Sequence, residues 1–217
     1  MKYLFRLDHS IGRDVGDYPQ LAYLPKGYVD DSQDSIYELR NYKFEFPKEG
    51  TINFPLMKME RKAKLTDILS CVYVPTNGMV VSHRFMDFIA SYNLENVKFY
   101  PCQILYKNEM IDYYWMHIID LSFVDCNEII DFRNSYIYDP KLKKKFLFKN
   151  MQEMKNYYDI TRIYNINEFL KLNSIPKILF CIPYFVEILV AKELKEEIEK
   201  HIFTGITFEE IENLTLQ

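Results

Sequence analysis

Glycine and proline are scarce in this chain, whose 217 residues include only six glycines and nine prolines. So little of either residue excludes a collagen-like or low-complexity protein. The phosphate-binding sequences GxGxxG, GxxxxGKS and GxxxxGKT are also absent, so the usual glycine-rich phosphate cradle is excluded. Hydrophobic residues make up 48% and aromatic residues 16% of the sequence, which indicates a folded domain rather than a disordered chain.

The sequence also lacks the short motifs of common metal sites and nucleophilic enzymes. It contains no CxxC, no HExxH and no GxSxG, the signatures of many zinc sites, metalloproteases and serine hydrolases. We therefore predict no catalytic residue, no metal site and no cofactor. The cysteines stand beside apolar residues, which predicts reduced and buried thiols; they are Cys71, Cys102, Cys126 and Cys181.

Long apolar runs are missing as well. The most apolar stretch, residues 175–190, is interrupted by Lys177, two prolines and Glu187, whereas a membrane-spanning helix needs about 20 apolar residues. The opening sequence MKYLFRLDHS lacks the apolar run of about 7 residues that a signal peptide requires. These features predict a cytoplasmic protein with no membrane partner.

Basic residues are not in excess, since 27 Lys and Arg face 31 Asp and Glu and give a formal net charge of −4. A nucleic-acid-binding protein usually carries a basic face, so we predict no nucleic-acid partner. The run KLKKKFLFK at residues 141–149 could hold RNA phosphates. It is more typical of a solvated hairpin or an exposed edge strand, where lysines prevent pairing with other chains.

The chain differs in regularity on either side of residue 50. Residues 1–50 are rich in Gly, Pro, Asp and Ser and predict an irregular segment packed on the main domain. Residues 51–217 predict one α+β domain, with a mostly antiparallel sheet and packed helices. Local patterns further predict a strand within 36–46, a short strand at 157–165 and a helical turn at 166–172.

An internal repeat emerges when the sequence is shifted by 109 residues, because residues 80–102 then lie over residues 189–211 without a gap. Outward-facing residues differ between the copies, as expected when packing constrains only the buried face. Each copy predicts a strand–helix–strand unit, and Ser82 is a suitable N-cap for the first helix. The matched inward positions are Val81 with Val190, Phe85 with Leu194, Ile89 with Ile198, Val97 with Ile206, and Phe99 with Phe208.

Catalysis would require a cluster of titratable side chains, and His117 is the best candidate for its centre. It lies in the sequence WMHIID, close to Asp120 and Asp125, and a histidine with a carboxylate can act in general acid–base catalysis. On a strand, however, His117 and Asp120 would point to opposite faces because their separation is odd. A shared site would need a bulge or a helix at this point. A hydrolase-type enzyme that uses His117 with Asp120 or Asp125 is the alternative function.

The C-terminal copy resembles a known family. Residues 182–211, IPYFVEILVAKELKEEIEKHIFTGITFEEI, are similar to the closing segment of bacterial polymorphic-toxin immunity proteins of immunity family eleven, formerly a domain of unknown function. That segment is an apolar strand, a helix of the form VSEELKEAIE, and a TGxxFxP-like turn and strand. Ala191 and Glu209–Glu210 depart from the pattern. The residues that fit it are Lys192, Glu193, Leu194, Lys195, Ile198, Glu199, Gly205 and Phe208.

The resemblance extends more loosely over residues 70–215, where VVSHRFMDFI is similar to an earlier valine–serine–helix unit of the family. It implies a cytosolic antidote without enzymatic residues, which binds and neutralises a cognate toxin domain. No functional residue is carried over by position. Asp30, Asp31 and Asp34 lie close together in the irregular segment, and such loops often hold binding residues. We predict that these acids contact basic residues of the toxin.

Overall fold

The computed structural model describes residues 4–23, 36–71, 78–161 and 167–216. The helices are α1 (His83–Ala90), α2 (Phe123–Ile129), α3 (Met151–Thr161) and α4 (Lys192–Lys200), with a 3₁₀ helix at Ile36–Asn41. The strands are β1 (Leu4–His9), β2 (Leu21–Tyr23), β3 (Met57–Met59), β4 (Ile68–Leu69), β5 (Gly78–Val81), β6 (Val97–Tyr106), β7 (Glu109–Ile118), β8 (Tyr136–Asp139), β9 (Lys144–Phe146), β10 (Asn167–Leu172), β11 (Leu179–Ile182), β12 (Phe185–Ala191), β13 (Ile206–Glu210) and β14 (Leu214–Leu216).

The strands form three sheets, in the orders β2-β3-β6-β7-β5-β4, β11-β12-β1-β13 and β14-β10-β8-β9. Antiparallel pairing predominates, while β3 with β6 and β10 with β14 pair in parallel. The predicted α+β fold class is confirmed. The lysine-rich β9 lies at the edge of its sheet. Within the described ranges, no helix is long and apolar enough to cross a membrane.

The chain divides into two units, each with its own buried core. The core of unit 1 includes Ile137, Met151 and Phe180, and the core of unit 2 includes Met57 and Trp115. The predicted boundary at residue 50 falls inside a continuous part of unit 2. Unit 1 comprises residues 1–6, 121–196 and 209–217, and unit 2 comprises residues 7–120 and 197–208.

The predicted duplication of the strand–helix–strand unit is confirmed. The positions predicted to face inward are buried in the two helices, but those in the strands that follow are only half-buried, namely Val97, Phe99, Ile206 and Phe208. α1 begins at His83 and α4 at Lys192, and β6 begins at Val97 and β13 at Ile206, so both pairs of starting points are 109 residues apart. Ser82 caps α1 as predicted, because its hydroxyl accepts a hydrogen bond from the amide of the third helical residue.

The two helices also bury the same faces and end in the same way. Asn93 and Ile202, again 109 residues apart, both have a left-handed backbone, with φ of 49° and 53°. This conformation closes a helix and turns the chain into the next strand. Gly205 is also left-handed but lies nearer the strand. The matched apolar residues, all at most 1% exposed, are Phe85, Ile89, Leu194 and Ile198.

Each copy receives a third strand between its own two. In the first copy β7 lies between β5 and β6, with β4 beyond β5; in the second, β1 lies between β12 and β13, with β11 beyond β12. The strand β1 therefore has the position in the second copy that β7 has in the first. Local sequence patterns miss β1 and predict an irregular segment at this position. They miss it because the strands that pair with β1 come from the other end of the chain.

The predicted strand at residues 36–46 is wrong. Residues Ile36–Asn41 form a 3₁₀ helix instead. Ile36 and Leu39 are fully buried, and their spacing of three places them on one face of a helix with three residues per turn. Two aliphatic residues at that spacing fit the 3₁₀ period better than the period of two that a strand requires.

The local predictions at 157–165 and 166–172 are also wrong. The described part of the first range continues α3, which Asn150 caps by accepting a hydrogen bond from the amide of Glu153 at 2.9 Å. In the second range, Asn167–Leu172 is the strand β10, which pairs with β8 and β14. Pairing with strands distant in the sequence outweighs the local helical pattern.

The buried carboxylate of Asp67 joins three segments of unit 2. One oxygen accepts hydrogen bonds from the Ser82 hydroxyl at 2.8 Å and from Arg84 Nε at 3.1 Å. The other accepts from Arg84 Nη2 at 2.6 Å and from the Thr204 amide and hydroxyl at 2.8 and 2.9 Å. The start of β4, the start of α1 and the turn after α4 therefore meet at one anion.

The Arg84 guanidinium extends this cluster onto the turn. It donates to the carbonyl oxygens of His201 and Ile202 at 3.4 and 3.3 Å, and it lies 4.5 Å from the ring centroid of Phe203. The ring of Phe203 in turn meets Phe85 edge to face at 5.0 Å. Charge-assisted hydrogen bonds of this kind are stronger than neutral ones and fix geometry as well.

We predict that Asp67→Asn lowers the free energy of unfolding by about 2 kcal/mol near neutral pH. Burial alone would raise the pKa of the Asp67 carboxyl, but hydrogen bonds from Arg84, Thr204 and Ser82 lower it from 3.8 to about 2. Because the folded-state pKa is depressed, the carboxylate stabilises the fold above pH 3.8, and this contribution is lost as the pH falls towards 2.

Urea denaturation at neutral and at acidic pH measures this difference. The gap between the wild type and Asp67→Asn should narrow as the pH falls through that window. The exposed Asp14→Asn is the control and should stay within about 0.5 kcal/mol of the wild type. An equal gap at every pH would contradict the role of the ionised carboxylate.

Leu194→Ala should lower the free energy of unfolding by about 2–5 kcal/mol, because it removes a fully buried side chain and leaves a cavity. The control, Glu196→Ala, removes an exposed residue whose ion pair with Lys192 spans 3.5 Å. Such a pair contributes about 0–1 kcal/mol. Thermal or chemical denaturation measures both effects, and a cost for Leu194→Ala no greater than that of the control would be inconsistent with a buried helix face.

Candidate functional site

The acidic residues predicted to bind a partner, Asp30, Asp31 and Asp34, lie outside the described residues. Their role stays a prediction. The described part of the chain contains the other candidate, the histidine of the alternative enzyme, and a site that the sequence does not indicate.

His117 is sealed inside unit 2. Its side chain is 1% exposed, and Nε2 donates a hydrogen bond to the carbonyl oxygen of Tyr42 at 2.8 Å. The rings of Phe46 and Tyr100 meet it edge-on, with centroids 5.9 and 6.5 Å away. Burial lowers the pKa of the imidazole, although the hydrogen bond to Tyr42 opposes the shift. A neutral ring closed off from solvent serves packing better than proton transfer with a substrate.

The two acidic residues suggested for catalysis have structural roles in the backbone or at a helix start, and Asp120 is buried, with 7% of its surface exposed. The backbone amide of Asp120 donates to the carbonyl oxygen of Lys43 at 2.6 Å. Asp125 forms a capping box with Ser122 at the start of α2. Asp125 belongs to unit 1, whereas His117 and Asp120 belong to unit 2. In the ranges that the structure describes, no three His, Cys, Asp or Glu side chains are grouped as ligands for one metal ion.

An open cleft of about 390 Å³ lies on the outer face of the β6–β7 hairpin. The two strands pair over ten positions, with Gln103 opposite Asp112 and Pro101 opposite Tyr114. Around these positions Tyr100, Cys102 and Ile104 of β6 and Tyr113 and Trp115 of β7 face the core, so the four side chains share the opposite face of the hairpin. Phe54 and Leu56, which precede β3, complete the wall. We call this site the hairpin cleft.

At the hairpin cleft, Tyr114 contacts a pair of exposed side chains on α1. The hydroxyl of Tyr114 lies 3.1 Å from Nδ1 of His83, and Nε2 of the same ring lies 3.2 Å from the Asp87 carboxylate. His83 and Asp87 stand four residues apart on the exposed side of α1. The cluster around Asp67 holds the start of α1 and thereby positions this chain of contacts.

The remaining polar residues of the hairpin cleft bind one another. The side-chain amide nitrogen of Gln103 donates to the Asp112 carboxylate at 3.1 Å, and both residues are exposed. The hairpin turns through Lys107 and Asn108, both left-handed with φ of 49° and 69°, as the tightest hairpin turns require. A two-residue turn and a continuous ladder make this a rigid support for the cleft.

Burial keeps the cysteine beside the hairpin cleft inert. Cys102 is buried, and burial together with nearby Cys71 and Asp112 raises the pKa of its thiol. Cysteine nucleophiles act as thiolates, which such surroundings disfavour. Burial is as predicted for Cys102, Cys126 and Cys181, while Cys71 is half-buried.

Acidic charge is concentrated in the unit that carries the cleft. Unit 2 contains 18 acidic and 13 basic residues, a formal net charge of −5, whereas unit 1 has a formal net charge of +1. An excess of one sign raises the encounter rate with partners of the opposite sign. The composition of unit 2 is thus suited to a basic partner.

Sequence reasoning missed both His83 and Tyr114. The signal that would have joined them is strand register, because Val81 pairs with Tyr114 across β5 and β7 and α1 starts two residues after Val81. Neither a comparison with protein-family models nor a comparison with curated proteins gives a match for this chain.

Proposed function

We propose that the chain is a bacterial immunity protein of the cytoplasm, which binds a cognate polymorphic-toxin domain and neutralises it without catalysis. The observation that carries the proposal is the hairpin cleft, a concave site on the acidic unit with half-buried aromatic side chains and exposed aliphatic and acidic ones. Protein interfaces are anchored by a few side chains that enter such sites. The similarity of residues 182–211 to immunity family eleven supplies the class of partner.

The surroundings of the ionisable residues favour binding over the hydrolase alternative. The imidazole of His117 is buried against Tyr42, Phe46 and Tyr100, and the carboxylate of Asp125 caps α2. Both are occupied in holding the fold, whereas the exposed polar groups of the hairpin cleft face solvent. A non-catalytic inhibitor needs only a solvent-exposed binding site such as this cleft.

The basic run at residues 141–149 fits a structural role in this proposal. Lys144 lies over the ring of Phe146 at 5.2 Å and Lys145 over the ring of Tyr136 at 4.0 Å. Lysines stacked along an edge strand hinder pairing with other chains. In this proposal, protection of the strand edge explains the local basic charge, and no nucleic-acid partner is required.

The proposal predicts that the reading frame immediately upstream encodes a protein with a toxic C-terminal domain, and the test uses that domain. We expect the purified chain to form a stoichiometric complex with that domain and to restore growth when both are expressed in one cell. Toxin activity should fall in proportion to the chain added and reach its minimum at an equimolar ratio. The intact mass of the toxin domain should not change, because the inhibition is non-covalent.

Two outcomes would contradict the proposal. Absence of a complex would exclude the immunity function. Neutralisation at a small fraction of the toxin concentration, with a change in toxin mass, would indicate turnover and favour the hydrolase alternative. A toxin domain of unrelated sequence serves as the control and should neither bind nor lose activity.

A further inference from the structure

We infer that the hairpin cleft receives a lysine or arginine side chain of the toxin domain. This inference rests on the proposed function and names the chemistry of its contact. It follows from the hydrogen-bonding capacity that the cleft offers, from its aromatic and aliphatic walls, and from the charge of unit 2.

Hydrogen bonding within the protein leaves Tyr114 as an acceptor. The Asp87 carboxylate only accepts, so Nε2 of His83 carries the proton between them. With the ring proton on Nε2, Nδ1 accepts, and the hydroxyl of Tyr114 donates its hydrogen across the 3.1 Å contact. The phenolic oxygen therefore presents lone pairs to the cleft.

Gln103 and Asp112 present acceptors as well. The amide nitrogen of Gln103 is turned towards the Asp112 carboxylate, which leaves the amide oxygen of Gln103 for an incoming group. The carboxylate of Asp112 has two oxygens and can accept several hydrogen bonds at once. The polar lining thus offers oxygens to a ligand, and a ligand that only donates matches it best. Among protein side chains, ammonium and guanidinium groups are charged donors without an acceptor.

The walls of the hairpin cleft suit the rest of such a side chain. Leu56, 36% exposed, and Pro101 provide apolar surface for a methylene stem. The rings of Tyr114 and Phe54 can face the cation, an arrangement that is favourable for both lysine and arginine. Phe54 is itself fixed by stacking on Tyr100, with centroids 5.7 Å apart.

Charge selects a basic partner over the other occupants of an exposed apolar cleft. A second copy of this chain would bring an acidic unit against an acidic unit, since unit 2 has a formal net charge of −5. Like charges across an interface are unfavourable. A basic toxin surface instead gains from attraction during encounter and from pairing with Asp112 after docking.

The experiment measures binding of the same toxin domain to Asp112→Asn, Tyr114→Phe and the control Glu49→Gln. Glu49 is exposed on unit 2 and lies outside the cleft, so its variant removes the same charge elsewhere. We expect Asp112→Asn to weaken binding about 30-fold or more, mainly through faster dissociation, because it leaves a cation unpaired in the interface. Tyr114→Phe should weaken binding about 10-fold. Circular dichroism checks that each variant folds.

The outcomes separate this inference from the function on which it rests. If the wild-type chain binds and Asp112→Asn binds within about threefold of Glu49→Gln, the cleft does not hold the basic side chain, while the immunity function stands. If the wild-type chain does not bind, both proposals fall. A selective loss in the two cleft variants supports the inference, and the charge reversal Asp112→Lys should then abolish the complex.

Discussion

The carboxylate of Asp67 is the interaction on which the arrangement of unit 2 depends. It gathers the start of β4, the start of α1 and the turn after α4 around one buried anion. Removal of the Arg84 guanidinium would leave the buried carboxylate without its charged partner, which is costly. The same contacts fix the first turn of α1, which carries His83 and Asp87 to the edge of the hairpin cleft. A structural ion pair and the proposed binding surface are therefore linked through one short helix.

The spacing of apolar residues predicted the duplicated unit, because α1 and α4 each bury one face and both helices end in the same kind of turn. Phe85 and Leu194 were identifiable from the apolar spacing alone. The third strand of each copy was not, because β1 and β7 enter their sheets through pairing that a local window does not contain. For the same reason β10 was mistaken for a helical turn. The aromatic residues near the end of α3 are typical of a strand. They are helical nevertheless, because they continue the helix that begins after the N-cap Asn150.

The candidate site was harder to predict than the fold. His117 is a histidine near carboxylates in the sequence, but in the fold it is buried and serves packing. Tyr114 looked like an ordinary strand residue, and its role depends on a contact with a helix that the register of β5 and β7 brings beside it. Hydrogen-bond direction, which decides what a polar site can bind, follows from neighbours such as Asp87 and Gln103 and cannot be read from one residue.

Carboxyl-group footprinting of the complex tests the central claim most directly. Amidation of exposed carboxylates, read by mass spectrometry, compares the free chain with the chain bound to the upstream-encoded toxin domain. Docking of a basic side chain in the hairpin cleft predicts that labelling of Asp112 falls sharply on binding, while labelling of Glu49 is unchanged. Equal labelling of Asp112 in the free and bound chain would contradict the claim.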